Sequence, residues 1–250
     1  MTGKDITRPD PALIAKLRDL GAATVAGTLA GLGIRQPHIQ GPVSWNKGKA
    51  IAGPALTLLM MPKREDLYGD GEYNDPEKQL HRHVLYHAQP GDIVVVDARG
   101  DMTAGIFGEM MMTYFKGRGG IGMVIDGCVR DYPGQIELDM PMWIRGLTPN
   151  FHTQTGLMPF DFNCPVACGG VMVIPGDIIV ADDDGAVCCP AALAAKVIEH
   201  AGTHHDWEDY SKYMLLRGGD LRRYYPLHDD ARGEYDDWRK LNPLGKRGGS

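Results

Sequence analysis

The sequence predicts an α/β fold with a central parallel βαβ unit, added antiparallel strands and a C-terminal helical arm. Three observations predict it. Between residues 76 and 146 short apolar runs alternate with helical stretches, the pattern of βαβ units joined by right-handed crossovers. Residues 169–190, "GGVMVIPGDIIVADDDGAVCCP", hold two or three strands parted by the hairpin-type turns "PGD" and "DDDG". The 33 glycines and 17 prolines call for many tight turns in place of long helices.

Each element has its own signal. "DPALIAKLRDLGAATVAGTLAGLG" reads as one or two short helices, with Asp10 as cap, Pro11 at the first helical position and a break near Gly21. "PALTLLMMP" is a short apolar strand ended by proline, and the charged "KREDLYGDGEYNDPEK" is a surface loop. "PEKQLHRHVLYHAQ" is a helix, "PGD" a turn and "IVVVD" a buried strand. The glycine-bearing loop "ARGDMTAGIFG" then leads into the helix "EMMMTYFKGR". The strand "GMVID", the turn "GCVR", a short helix and the strand "MPMWIRG" follow. A helix from about Pro190 to Leu216 closes the compact part. We read residues 1–217 as one folded domain, and 218–250 as a polar arm and tail with spaced aromatics.

Composition narrows the function classes. A net charge of −6 with 26 scattered lysines and arginines does not make the clustered basic face that nucleic acid needs. A small molecule or a protein is the expected partner. No apolar run reaches membrane-spanning length and "MTGKDITRPDPAL" lacks a signal-peptide core, so a cytoplasmic location is expected. The five cysteines show no CxxC spacing and read as reduced, buried small hydrophobes.

In a parallel sheet the ligand crevice lies beyond the carboxyl ends of the strands. Two such ends stand out, Asp97 to Gly108 and Asp126 to Asp131. Gly108 permits close backbone approach, and the free amides of Glu109, Met110 and Met111 open a helix, which makes an anion site. Glu109 also suits that helix start without any function. Asp131 offers hard oxygen for Mg²⁺ or Mn²⁺, and Arg130 a planar fork for a carboxylate or developing oxyanion. The alternative is a capping Asp131 beside a surface Arg130. His81, His83 and His87 read as a polar helix face, since no glutamate completes an HExxH zinc pattern. GxSxG, GxxxxGK[ST] and a GxGxxG opening a helix after a strand are all missing, and no lysine lies within a buried strand. Metal-assisted chemistry remains the favoured class.

"QPGDIVVVDARGD", "FGEMM", "GMVIDGCVRD" and "PVACGGVMVIPGDIIVADDDGAVCCP", in their strand and helix order, resemble the RraA-like family. That family includes class II 4-hydroxy-4-methyl-2-oxoglutarate/4-carboxy-4-hydroxy-2-oxoadipate aldolases and a regulator of ribonuclease E activity. The most specific likeness is an acidic residue, twenty intervening residues and then Arg-Asp, matched by Glu109, residues 110–129 and Arg130-Asp131. The resemblance implies a swivelling β/β/α domain and a divalent-metal-dependent aldolase that releases pyruvate, with oxaloacetate decarboxylase activity. It implies Asp131 as the direct ligand of Mg²⁺ or Mn²⁺, Glu109 holding one of the metal's waters, and Arg130 on the keto oxygen and enolate. The substrate carboxylate would lie at Gly108 and the amides of Glu109 to Met111. A further acid, which we place at Asp206, would come from a neighbouring subunit of a homotrimer or homohexamer. The aromatic arm and the additional cation Arg99, near the mouth of the site, set this chain apart from those aldolases. Two other readings stand beside this one: a regulator that binds a ribonuclease, and a lyase or hydratase acting on a sugar-derived 2-oxo acid.

Overall fold

The computed structural model describes residues 5–69, 74–151 and 156–242, with only the backbone described at 202–206. Its elements in chain order are α1 (Pro11–Leu20), α2 (Ala22–Gly31), β1 (His38–Ile39), β2 (Val43–Ser44), β3 (Ile51–Pro62), α3 (Leu80–Tyr86) and β4 (Ile93–Gly105). Next come α4 (Glu109–Gly117), β5 (Gly122–Val129), α5 (Tyr132–Glu137), β6 (Met142–Leu147) and β7 (Leu157–Phe162). The chain continues with β8 (Val166–Cys168), β9 (Val171–Val173), β10 (Ile178–Asp182), β11 (Gly185–Cys189), α6 (Ala194–Leu215), α7 (Leu221–Tyr224) and α8 (Arg232–Leu241). Contacts divide it into two compact units, Met1–Val197 and Ile198–Ser250.

In the first unit β3, β4, β5 and β6 run parallel and adjacent, each joined to the next through a helix. Right-handed crossovers between successive neighbours put α3, α4 and α5 on one face. The side chains follow a period of two. Leu56, Leu58, Val94, Val96, Met123, Ile125, Met142 and Ile144 pack with Val84, Leu85, Met112 and Phe115 of the helices. Ala55, Ile93, Val95, Val124 and Trp143 point the other way, onto Val166, Cys168, Val171 and Val173 of the β8–β9 hairpin and onto β10 and β11. The result is three layers: helices, the main sheet, and the small hairpin. Antiparallel β10, β11 and β1 extend the sheet beyond β3, and β2 closes its other edge on β6.

The predicted turns and caps are present. Asp10 accepts a bond from Ala12 N at 2.8 Å and Gly21 separates α1 from α2 with φ +80°. Asp182 reaches from the β10–β11 turn to accept Ala22 N at 2.8 Å, so a carboxylate distant in sequence closes the start of α2. Two strands are longer than their apolar runs. β3 begins at Ile51, and β4 continues through "ARGDMTAG", a stretch that the sequence predicts to be loop. The continuation pairs with β5 through two register shifts, between Val96 and Asp101 and between Asp101 and Gly105. Such bulges let polar, glycine-containing residues stay in a ladder while the strand bends.

The carboxylates Asp97 and Asp126 turn toward the hairpin layer and are spent on structure. Asp97 accepts backbone N–H groups of Ala167 and Arg99, both at 3.1 Å, and burial pushes its carboxyl above the usual range. Asp126, 5% exposed, pairs with the Arg145 guanidinium and accepts Gly169 N at 3.2 Å.

The second unit is helical. Tyr210, Tyr224, Leu227 and Ala231 form its core with Trp207, Tyr235 and Trp238 packed around them. Glu234 ties the cluster by accepting from Tyr210 Oη at 3.1 Å and Tyr224 Oη at 3.2 Å, and it pairs with Arg223 at 2.8 Å. Burial and that carboxylate push the Tyr210 phenol up to about 12. Among the described residues no helix is long and apolar enough to cross a membrane.

All five cysteines are free, and only Cys164 is not buried. Burial pushes the Cys168 and Cys188 thiols well up and that of Cys189 to about 12. An aromatic disulfide reagent at pH 8 is therefore expected to titrate about one thiol in the native chain and all five in denaturant. Arg145→Ala, which strands the buried Asp126 carboxylate, is expected to lower unfolding free energy by about 3 kcal/mol in urea titrations.

Candidate active site

The site is built where the ends of β4 and β5 are sewn together. Ile106 N donates to Cys128 O at 3.0 Å, and Arg130 N to Phe107 O at 3.1 Å. Gly105 N and Thr148 N extend this stitching to Asn150 O at 3.1 Å and Val129 O at 3.0 Å. Gln135, 1% exposed, adds a side-chain clamp, its Nε2 donating to Phe107 O at 3.2 Å and Arg130 O at 2.5 Å. Gly108 and Arg130 are thereby fixed side by side.

Gly108 is the N-cap of α4, and no side chain closes that helix start. A Cβ there would lie 2.5 Å from Asp131 Oδ2 and 3.1 Å from the Arg130 guanidinium carbon. Only glycine admits these groups so close to the backbone. Asp131 is the N-cap of α5 yet makes no side-chain cap bond, and its backbone is left-handed at φ 57°, ψ 35°. Its carboxylate instead takes the Arg130 guanidinium at 3.0 Å, with 42% and 35% of the two side chains exposed. Tyr132, the first residue of α5, is braced edge-on against Trp45 at 5.4 Å. The bland reading of a capping Asp131 is thus not what the structure has.

A cleft of about 280 Å³ opens here. Gly105, Ile106, Gly108, Met110, Met111, Arg130 and Asp131 line it, joined by His81, Arg82, Leu85 and Tyr86 from α3, and by Tyr114 and Phe151. Five of the sequence-derived positions, Gly108, Met110, Met111, Arg130 and Asp131, are therefore together. Glu109 stands beside them but is not in the lining; its carboxylate lies against Gly134 of α5, where a Cβ would collide with it. Arg99 is exposed, left-handed at φ 60°, and reaches Met61 Sδ at 4.0 Å, away from this lining. Asp206 belongs to α6, and its side chain lies outside the described residues.

The helix bearing the three histidines is not a uniformly polar face. His81 is fully buried and lines the cleft, whereas His83 bonds Glu77 O at 2.8 Å and His87 packs on Phe162 at 5.4 Å. Arg82, Tyr86 and Tyr114 are cleft residues that the sequence reading passes over. The available signal was the recurrence of 81, 82, 85 and 86 on one side of a helix.

The donor set bears on what ion the cleft can take. Among the described residues no group of three or more His, Cys, Asp or Glu is placed to hold a metal, so an all-protein cage of those residues is not formed there. One carboxylate in an open, water-accessible cleft, with the glycine beneath it leaving room, fits a hydrated Mg²⁺ or Mn²⁺ that keeps most of its waters.

Asp131 pays a backbone cost for its place, since a left-handed residue with a Cβ is disfavoured by about 1–2 kcal/mol. Asp131→Gly is expected to exceed Asp131→Ala in unfolding free energy by about 1 kcal/mol in denaturant melts.

Comparisons with known proteins agree with this architecture. The family model RraA-like, described as Aldolase/RraA, matches residues 22–188. A curated protein of Halalkalibacterium halodurans, named "Putative 4-hydroxy-4-methyl-2-oxoglutarate aldolase", is 38% identical over 118 residues, 47% of this chain. The match spans 55% of that relative's length. A crystal structure from Streptomyces coelicolor, described as an unusual member of the RNase ES inhibitor RraA protein family, superposes with a TM-score of 0.76 at 41% identity. It covers 82% of this chain and 98% of the other. An uncharacterized protein of Pseudomonas syringae also gives 0.76 at 22% identity, over 91% and 99% of the two chains, and speaks to the fold alone. With most of the first unit inside the matched span, the chain belongs to the RraA-like family.

Proposed function

We propose that this chain is a divalent-metal-dependent class II pyruvate aldolase, a lyase that cleaves a 4-hydroxy-2-oxo acid to pyruvate and a carbonyl product, and that it also decarboxylates oxaloacetate. The observation that carries this reading is the convergence of Arg130, Asp131 and the uncapped start of α4 on one cleft. The name of the Halalkalibacterium relative points the same way.

The residues that would hold Mg²⁺ or Mn²⁺ are Asp131 directly and Glu109 through water. When bound, such an ion supplies positive charge beside the 2-oxo acid and draws electron density from the reacting carbons. The amides at the start of α4 take the substrate carboxylate, favoured by the helix dipole. Arg130 donates to the keto oxygen. As the C3–C4 bond breaks, the C4 hydroxyl loses its proton to water and the C3 electron pair moves into an enolate. The negative charge gathers on the oxygen facing Arg130, where a fixed guanidinium stabilises it most in the transition state. Protonation at C3 then releases pyruvate. Loss of CO₂ from oxaloacetate leaves the same enolate, so one site serves both reactions. In this reading the assembly is a homotrimer or homohexamer, Asp206 of a neighbour completes the site, and neither nucleic acid nor membrane is a partner.

The test is pyruvate release from oxaloacetate and from 4-hydroxy-2-oxo acids, with Mg²⁺, with chelator, and in Asp131→Asn, a substitution that tolerates the left-handed backbone. Loss of at least about 100-fold is expected in Asp131→Asn, and a comparable loss in Arg130→Lys. Activity indifferent to both chelator and Asp131→Asn would sink the proposal. The description of the Streptomyces structure supports a second reading, a ribonuclease regulator. Pyruvate production absent under every condition, together with inhibition of an RNase E-type enzyme by the same preparation, would promote it.

A further inference from the structure

The cleft contains a second guanidinium that the chemistry above does not use. Arg82 lies on α3 and lines the cleft beside Tyr86 and Tyr114, whose rings meet edge-on at 6.0 Å. Its Nε donates to Gln79 Oε1 at 2.8 Å, and Gln79 is 1% exposed. This bond fixes the guanidinium from behind, and no acidic side chain among the described residues pairs with its terminal nitrogens.

Position separates the two cations. Arg130 enters from the end of β5, Arg82 from α3, and α4, whose start takes the carboxylate, packs against both α3 and α5. Asp131 is the one carboxylate in the described lining, and it already pairs with Arg130 at 3.0 Å. Among the described residues, the wall at α3 therefore carries a positive charge with no carboxylate set against it, and a cleft lined by such a charge draws an anion. A planar fork held in place in this way suits a carboxylate or phosphate.

We propose that Arg82 is a specificity determinant of this cleft, binding an anionic group, carboxylate or phosphate, at the end of the substrate remote from the bond that breaks. The proposal rests on the aldolase reading for the orientation of the substrate, but binding alone tests it. The probes are three uncleavable 2-oxo acids of similar length: 2-oxoglutarate, 2-oxo-4-phosphonobutanoate and 2-oxopentanoate. They share the 2-oxo acid end and differ in a terminal carboxylate, phosphonate or methyl group.

Calorimetry with Mg²⁺ on the full chain is expected to show one of the two anionic probes binding about 10-fold to 100-fold tighter than 2-oxopentanoate, the range of a charge-assisted hydrogen-bonded contact. The preferred one identifies the terminal group. In Arg82→Gln that ratio is expected to fall to about 2 or less while 2-oxopentanoate affinity is unchanged, with partial recovery in Arg82→Lys. Equal affinity of the wild type for all three probes overturns the proposal. So does an Arg82→Gln loss shared by 2-oxopentanoate, which would mark a structural role. Failure of the aldolase reading shows separately, as absent or Asp131-independent pyruvate release, and leaves these ratios readable.

Discussion

The short ladder between residues 105–108 and 128–130 is the constraint on which the site depends. Two backbone bonds and the Gln135 clamp hold the end of β5 against the loop that becomes α4, and two more tie the pair to residues 148–150. That pairing is reached only because β4 bends past its bulges and resumes contact with β5 at Gly105. A straight β4 ending at Asp97 would leave the loop free to move, and Gly108 would have no fixed relation to Arg130. Precision at this end comes from backbone bonds, which pay little side-chain entropy. Loops anchored in this manner can carry reacting groups on a rigid scaffold.

Charge is divided between the two faces of the sheet. The period of two sends Asp97 and Asp126 toward the hairpin layer, where backbone N–H groups of Ala167 and Gly169 and the Arg145 guanidinium satisfy them. Buried carboxylates with such partners hold the hairpin and are closed to ligand. Asp131, two residues past the end of β5, escapes this alternation through its left-handed backbone and stays open to the cleft. Its neighbour Arg130 balances it, which leaves Arg82 as the charge not matched in the lining.

Much of this was legible in the residues. The apolar runs "IVVVD" and "GMVID" announced buried parallel strands, and Asp10, Pro11 and Gly21 announced helix boundaries, because each signal is local. The extent of β4 was not, since "ARGDMTAG" has the composition of a loop and is kept extended by pairing with β5. The helical spacing of 81, 82, 85 and 86 marks a shared face, yet the roles of Gln135 and Arg82 are not legible in it. One acts through carbonyls supplied by two other segments, the other through a cleft that exists only once α3 and α4 pack. Spacing could suggest Arg130 and Asp131 as a working pair, yet the left-handed turn that denies Asp131 its capping role is a property of the backbone.

That denied role bears on the choice between chemistry and docking. A surface that only binds a protein gains nothing from a glycine under a carboxylate, or from an aspartate held left-handed when an extended cap would satisfy the helix at lower cost. The left-handed Asp131 lowers stability, and the missing side chain at Gly108 leaves room at the point where Arg130 and Asp131 meet. Strain gathered at a single set of polar groups, with a buried glutamine fixing it from beneath, is the signature of a preorganised site. The fold is shared with proteins of different description, so it cannot decide between them. The local cost at Asp131, with the room left at Gly108, is what favours catalysis.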